Sequence, residues 1–172
     1  MLIVLAGLPG TGKSALAREL AARLPAVILD KDRIRAALFG PDVIEYSTEQ
    51  DDFCMEVMLQ AAAYLFDRDR ERHVILDGRT FGRRYQVERV RAFARERGVA
   101  IRLIECVCAD DVVRERLARD VAEGRHVARN RTYDLYLKVK AQFEPIKGEK
   151  LVLDTGRDLA LCVAEALVYL DH

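Results

Sequence analysis

The sequence has no long apolar run, no net charge and no paired cysteine spacing, and each lack narrows the field. No stretch approaches the roughly 20 apolar residues that a bilayer span needs. Met1-Leu2-Ile3-Val4-Leu5-Ala6 carries no basic leader, and Gly7 and Pro9 interrupt it too early for a signal peptide. Lys and Arg number 28 and so do Asp and Glu, a balance that argues against a nucleic-acid coat while allowing a local basic groove. The cysteines Cys54, Cys106, Cys108 and Cys162 form no C-x-x-C pair, and a thiolate metal site would need more Cys or His nearby. Cys106 and Cys108 share an apolar, strand-like run and point to one face, as small core residues do. His73, His126 and His172 are scattered and read as surface or strand-edge residues. A protein of the reducing cytoplasm is expected, with no membrane segment and no structural metal.

What is present is a regular alternation. The 172 residues are 33% charged and 51% hydrophobic, the balance of a globular chain with room for one core. Apolar runs at Leu2–Ala6, Ala26–Leu29, Val74–Leu76, Ile101–Val107 and Leu151–Leu153 predict buried strands. Between them, helical patterns run over Ser14–Leu24, Arg33–Phe39, Asp51–Asp69, Arg83–Arg97, Asp110–Glu123, Thr132–Phe143 and Asp158–Leu170. Phe53, Val57, Leu59, Ala61, Tyr64 and Leu65 fall at near-helical spacing and read as a core stripe. Gly98 stands where a helix should stop before the fourth strand. Neither repeats nor flexible linkers interrupt the order. Strands alternating with helices imply one α/β unit, a five-stranded parallel sheet in three layers with helices on both faces.

Gly7-Leu8-Pro9-Gly10-Thr11-Gly12-Lys13-Ser14 is a full match to G-x-x-x-x-G-K-[ST], with a strand before it and a helix after it. Gly7, Gly10 and Gly12 let the loop wrap a phosphate chain with its N–H groups inward, and Pro9 and Thr11 complete the wrap. Lys13 adds charge at the transferring phosphate, and Ser14 offers a hydroxyl to Mg²⁺. The loop predicts binding of a nucleoside triphosphate. A GTPase would carry N-K-x-D, whereas Asn130 is followed by Arg131-Thr132-Tyr133. A mechanical ATPase typically has a longer chain. The remaining expectation is a kinase with its own lid.

The second strand runs into Leu29-Asp30-Lys31-Asp32-Arg33-Ile34-Arg35. A carboxylate just past a strand end can face a bound nucleotide and take the proton of an attacking hydroxyl, which makes Asp32 the candidate base. Arg35, three residues on, can hold an anionic or polar acceptor from the same helix face. The competing reading is an N-cap, Asp30 or Asp32, with surface arginines. Val74-Ile75-Leu76-Asp77-Gly78 has the shape of a strand ending in a Mg²⁺-holding acid, with a plain turn aspartate as the alternative. Next, Arg79, Arg83 and Arg84 crowd the expected cleft mouth and are candidates for gripping the acceptor. Arg114, Arg116, Arg119, Arg125, Arg129 and Arg131 follow the fourth strand. Arg116 and Arg119 are the better candidates for closing over phosphates, and Arg114 reads as a solvated helix residue. Of the 28 basic residues 22 are arginine, thickest between Arg79 and Arg131, so the neutral sum hides a polarised chain.

Four stretches carry a family resemblance: Gly7–Ser14, the D-x-x-R element Asp32–Arg35, the strand Val74–Gly78, and Arg116-Leu117-Ala118-Arg119. The chain resembles small P-loop kinases, some labelled AAA-type ATPases, that group with adenylylsulfate kinase, chloramphenicol phosphotransferase, zeta toxins and the polynucleotide kinase domain. The resemblance implies a single kinase domain over residues 1–172, with an Arg-rich lid near 114–131. It also implies ATP and Mg²⁺, Asp32 as general base, Arg35 on the acceptor, lid arginines on the phosphates, and a base-binding turn with Thr155 and Arg157. The expected activity is transfer of the γ-phosphate to a hydroxyl of a small molecule. Two alternatives stand beside it, a polynucleotide 5′-hydroxyl kinase and a regulatory ATPase without an acceptor. Lys31 departs from the L-D-G-D-x-x-R of adenylylsulfate kinase, where glycine stands at its place.

Overall fold

A computed structural model describes residues 1–123 and 132–171. Five strands, β1 (Leu2–Ala6), β2 (Ala26–Asp30), β3 (His73–Asp77), β4 (Ile101–Val107) and β5 (Leu151–Asp154), form one parallel sheet in the order β2-β3-β1-β4-β5. Among the described residues seven α-helices lie between and after them: α1 (Lys13–Arg23), α2 (Lys31–Leu38), α3 (Thr48–Arg68), α4 (Arg84–Arg97), α5 (Asp110–Glu123), α6 (Tyr133–Ala141) and α7 (Leu159–Asp171), with a short 3₁₀ helix at Pro41–Val43. The five predicted strands and the predicted helices all form, with ends within a few residues.

Alternation along the central strands builds the core. Leu2, Val4 and Ala6 of β1 face one side with Val74 and Leu76, where Met55, Met58, Leu59, Ala62 and Phe66 of α3 and Val87, Val90 and Phe93 of α4 cover them. Ile3 and Leu5 face the other side with Ile75, Ile104 and Cys106, beneath Leu16 and Leu20 of α1 and Val163, Ala166 and Leu170 of α7. A strand buried on both faces must be apolar at every position, which is why β1 reads as a continuous run. Burial pushes the Cys106 thiol up to about 12, so it is an inert core group, whereas Cys108 lies past the end of β4 and is half-buried. Among the described residues no helix is long and apolar enough to cross a membrane.

The α3 stripe differs from its expected phase. Its core face is Cys54, Met55, Met58, Leu59, Ala62 and Phe66, while Phe53 and Tyr64 are exposed. The helix is apolar over more than one face, and burial follows the sheet rather than the largest rings. Phe53 instead packs edge-on against Phe39 at 5.9 Å, and Tyr64 carries the Arg68 guanidinium 5.1 Å above its ring. Two helix starts also move. Ser47 caps α3 by accepting from the Gln50 N–H at 3.1 Å, so the helix begins at Thr48. Asp30 caps α2 by accepting from the N–H groups of Asp32 and Arg33, which starts that helix at Lys31.

The chain leaves β1 through Gly7, whose φ of +130° suits glycine, and a Cβ there would lie 2.2 Å from the Cys106 carbonyl oxygen. Gly40 faces open space. Gly7→Ala is expected to lose about 1–3 kcal/mol of stability, and Gly40→Ala less than about 0.5 kcal/mol, in denaturant titration. Equal stability of the two variants would contradict this reading of the loop.

Candidate active site

The C-terminal ends of β1, β2 and β3 lie side by side, with Asp30 in register with Asp77. Their outgoing loops surround a cavity of about 260 Å³, lined by Pro9, Lys13 and Ser14 at one end and Lys31, Asp32, Arg35, Tyr46 and Asp51 at the other. Arg79, Arg83 and, from α6, Leu135, Val139 and Gln142 close the remaining wall.

At the loop end, the Gly7 N–H donates to the Thr80 carbonyl at 3.0 Å and the Thr11 hydroxyl donates to the Leu8 carbonyl at 2.8 Å. Lys13 Nζ donates to the carbonyls of Gly7 and Leu8, both at 2.8 Å, which folds its side chain along the loop. Gly12 precedes α1 in the left-handed region without a side-chain cap, so the first-turn N–H groups are available to an anion. Gly10 also lies in the left-handed region, under Val113 and Leu117 of α5.

At the other end a network of charges holds the acidic side chains. Asp30 is spent on its cap, which resolves the choice between Asp30 and Asp32 and leaves Asp32 to the cavity. Asp32 Oδ1 accepts from Arg35 Nη1 at 3.1 Å and lies 3.4 Å from Lys31 Nζ. Asp51 Oδ1 accepts from Lys31 Nζ at 2.8 Å and is ion-paired with Arg35 Nη2. The Arg35 guanidinium lies 5.0 Å over the Tyr46 ring. Behind them, buried Arg79 is ion-paired with Asp52, which also accepts from the Tyr85 hydroxyl at 2.9 Å. Burial lowers Lys31 to about 8, against the opposing attraction of Asp32 and with the repulsion of Arg35 and Arg79. Burial also raises Asp30, against the N–H of Arg33 and with Asp77 nearby.

Asp77 is buried at the end of β3, and its Oδ1 has no hydrogen-bond partner among the described residues. A buried carboxylate oxygen without a partner costs free energy unless a cation answers it. Ser14 lines the cavity, as does Gly78 next to Asp77, and these hard oxygen donors fit Mg²⁺, which takes few protein ligands alongside phosphate and water.

The remaining sequence candidates divide. Arg116 reaches from α5 to the loop, with Nη1 lying 3.4 Å from where a Cβ on Gly12 would stand. Its Nη2 donates to the Thr155 carbonyl at 2.6 Å. Arg119, one turn on, is exposed and makes no hydrogen bond or ion pair among the described residues. Arg83 lies on the cavity wall, donating to Gln142 Oε1 at 2.8 Å and standing 3.6 Å from Glu144. Arg84 is not brought into the cavity: the next position on α4 points to solvent, where it donates to Glu88 Oε1 at 2.6 Å. Thr155 is buried and donates to the Thr11 carbonyl at 2.8 Å, bracing the loop from β5. Arg157 is paired at the surface with Glu165 at 2.6 Å. Arg114 lies 4.6 Å over the Tyr133 ring. Arg125, Arg129, Arg131, His126 and His172 lie outside the described residues.

Lys31, Asp51, Asp52 and Tyr46 escaped the sequence reading. Asp51 and Asp52 near a helix start look like ordinary acids favoured by the helix dipole, and only the packing of α3 beside α2 brings them to Lys31 and Arg35. Lys31 was visible as a departure from the adenylylsulfate kinase pattern, and that was the one available signal.

A family model described as AAA domain (AAA_33) matches residues 2–146. No curated protein matches the sequence. Among solved structures the chain is similar to a sugar kinase from Janibacter sp. HTCC2649, at 18% identity and a TM-score of 0.72, over 99% of this chain and 94% of that one. A gluconokinase from Sinorhizobium meliloti 1021 is 20% identical with a TM-score of 0.66, over 98% and 90% of the two chains. The Mycobacterium tuberculosis APS kinase, solved with AMPPNP and APS, is 19% identical with a TM-score of 0.70, over 99% and 97%. The fold is that of the P-loop kinases.

Lys31 makes the site sensitive to pH. Its proton is held less tightly in the folded chain than in the unfolded one, so stability rises with pH between about 8 and 10.5. Measured by denaturant midpoints, the stability of the wild type relative to Lys31→Met is expected to climb by on the order of 2–3 kcal/mol across that window. A constant difference would contradict the burial argument.

Proposed function

The chain belongs to the AAA domain family AAA_33, and we propose that it is an ATP-dependent kinase whose acceptor is a hydroxyl of a small molecule. The observation that carries the reading is one cavity lined by both the phosphate loop, through Lys13 and Ser14, and the uncapped carboxylate of Asp32. Loop N–H groups of Gly10, Gly12, Lys13 and Ser14 and the ammonium of Lys13 hold the β- and γ-phosphates. Ser14 and Asp77 hold Mg²⁺, which neutralises charge on the phosphates when bound.

Asp32 accepts the proton of the acceptor hydroxyl as its oxygen attacks the γ-phosphorus. The bond from that phosphorus to the β-bridging oxygen breaks, and ADP leaves. Arg35 acts on Asp32 by fixing its Oδ1, and Lys31 supports the same oxygen from the other side. Arg116 lies over the loop and adds positive charge beside the transferring group, with Arg119 as a second candidate one turn away. Arg79 and Arg83 frame the acceptor wall, and by the family resemblance the turn at Thr155 and Arg157 takes the nucleotide base. Four free thiols suit a cytoplasmic setting.

Asp32→Asn is expected to reduce transfer from labelled ATP about 10²–10⁴-fold while ATP affinity stays within a few-fold. Unchanged transfer would remove Asp32 as the base. Slow hydrolysis alone, with every acceptor offered, would favour the regulatory ATPase.

A further inference from the structure

We infer that the acceptor is an uncharged or amino-bearing polyol, rich in hydrogen-bond donors and free of phosphate, sulfate or carboxylate, and that Asp51 is its second anchoring carboxylate beside Asp32. The inference rests on the kinase reading above and sharpens its substrate class. A wall holding Lys31, Arg35, Arg79 and Arg83 looks at first like a grip for an anion. The pairing says otherwise. Lys31 is held by Asp32 and Asp51, Arg35 by the same two, Arg79 by Asp52, and Arg83 stands beside Glu144. Among the described residues of this wall these four cations therefore meet four carboxylates and leave no net positive charge for an anionic ligand, with Lys13 standing apart at the loop end.

Exposure points the same way. The side chains of Arg35, Arg79 and Lys31 are 3%, 4% and 9% exposed, while Asp32 and Asp51 are 13% and 26% exposed. Nε of Arg35 and of Arg79 is buried without a hydrogen-bond partner among the described residues. Lys31, Arg35 and Arg79 thus lie behind the carboxylates that they hold, while Arg83 is exposed at the cavity wall and donates to Gln142. No hydrogen bond among the described residues ends on Oδ2 of Asp32 or of Asp51, because Lys31 and Arg35 both engage Oδ1. The cavity accordingly presents two ionised oxygens, which take hydrogen bonds from hydroxyl or ammonium groups and repel other anions. One donor on Asp32 is the reacting hydroxyl, and a neighbouring donor on Asp51 fixes the register. At about 260 Å³ the space suits one small molecule.

The test offers wild-type protein, with labelled ATP and Mg²⁺, matched sets of hexoses, pentitols, amino sugars, the corresponding sugar acids and sugar phosphates, and a 5′-hydroxyl oligonucleotide. Phosphorylated product is expected from uncharged or amino-bearing members, with kcat/KM at least tenfold above that of their acid or phosphate counterparts. Asp51→Asn is expected to raise KM for the best polyol at least tenfold, with kcat and the KM for ATP within about threefold. A preference for the acids, the phosphates or the oligonucleotide would overturn the inference and leave the kinase reading intact. An unchanged polyol KM in Asp51→Asn would overturn the role of Asp51. ATP hydrolysis without product from any member would overturn the kinase reading and this inference with it.

Discussion

The parallel register of β1, β2 and β3 is the constraint on which the site depends. It brings Asp30 level with Asp77 and places Asp77 on the strand beside the one that feeds the phosphate loop. Three chain segments distant in sequence therefore leave the sheet at one edge, as expected where ligands bind at the carboxyl ends of parallel strands. Burial of β1 on both faces fixes the register, since a shift by one residue would exchange the side chains offered to the two helical layers.

A division of labour between neighbouring aspartates follows from that geometry. Asp30 closes the first turn of α2, and its cap frees the acid two residues on, Asp32, for the cavity. Asp32 would be costly to hold ionised in so closed a place without the cations behind it. Lys31 and Arg35 supply them, and Asp51 in turn answers those cations. The arrangement explains how a chain of zero net charge can carry so many arginines around a cleft: on the acceptor wall, Lys31 and Arg35 share Asp32 and Asp51, and Arg79 is paired with Asp52.

Much of this was legible in the sequence, for reasons that differ by residue. The loop from Gly7 to Ser14 could be read because eight contiguous residues serve one ligand, and the strands because continuous apolar runs admit few other uses. Asp32, Arg35 and Asp77 could be placed because each lies within a few residues of a strand end. The α3 stripe went astray because apolar residues occupy more than one of its faces, and periodicity alone cannot say which face meets a sheet. Asp51 and Asp52 were hidden because their partners lie some 20 to 27 positions away and meet them only through packing. Arg83 and Arg84 looked equivalent as neighbours, yet the start of α4 turns one to the cavity wall and the other to solvent.

The most direct measurement is the distance from Asp32 to the γ-phosphorus in a crystal structure with AMPPNP and Mg²⁺. An attacking hydroxyl within hydrogen-bond reach of the carboxylate, and close to the phosphorus, requires Asp32 Oδ2 at roughly 5–6 Å from that atom. Such a gap, with Arg35 and Lys31 still on Oδ1, is the predicted result. A γ-phosphate directed away from Asp32, or a carboxylate beyond roughly 8 Å from it and so too far for one hydroxyl to bridge, would contradict the assignment of the base.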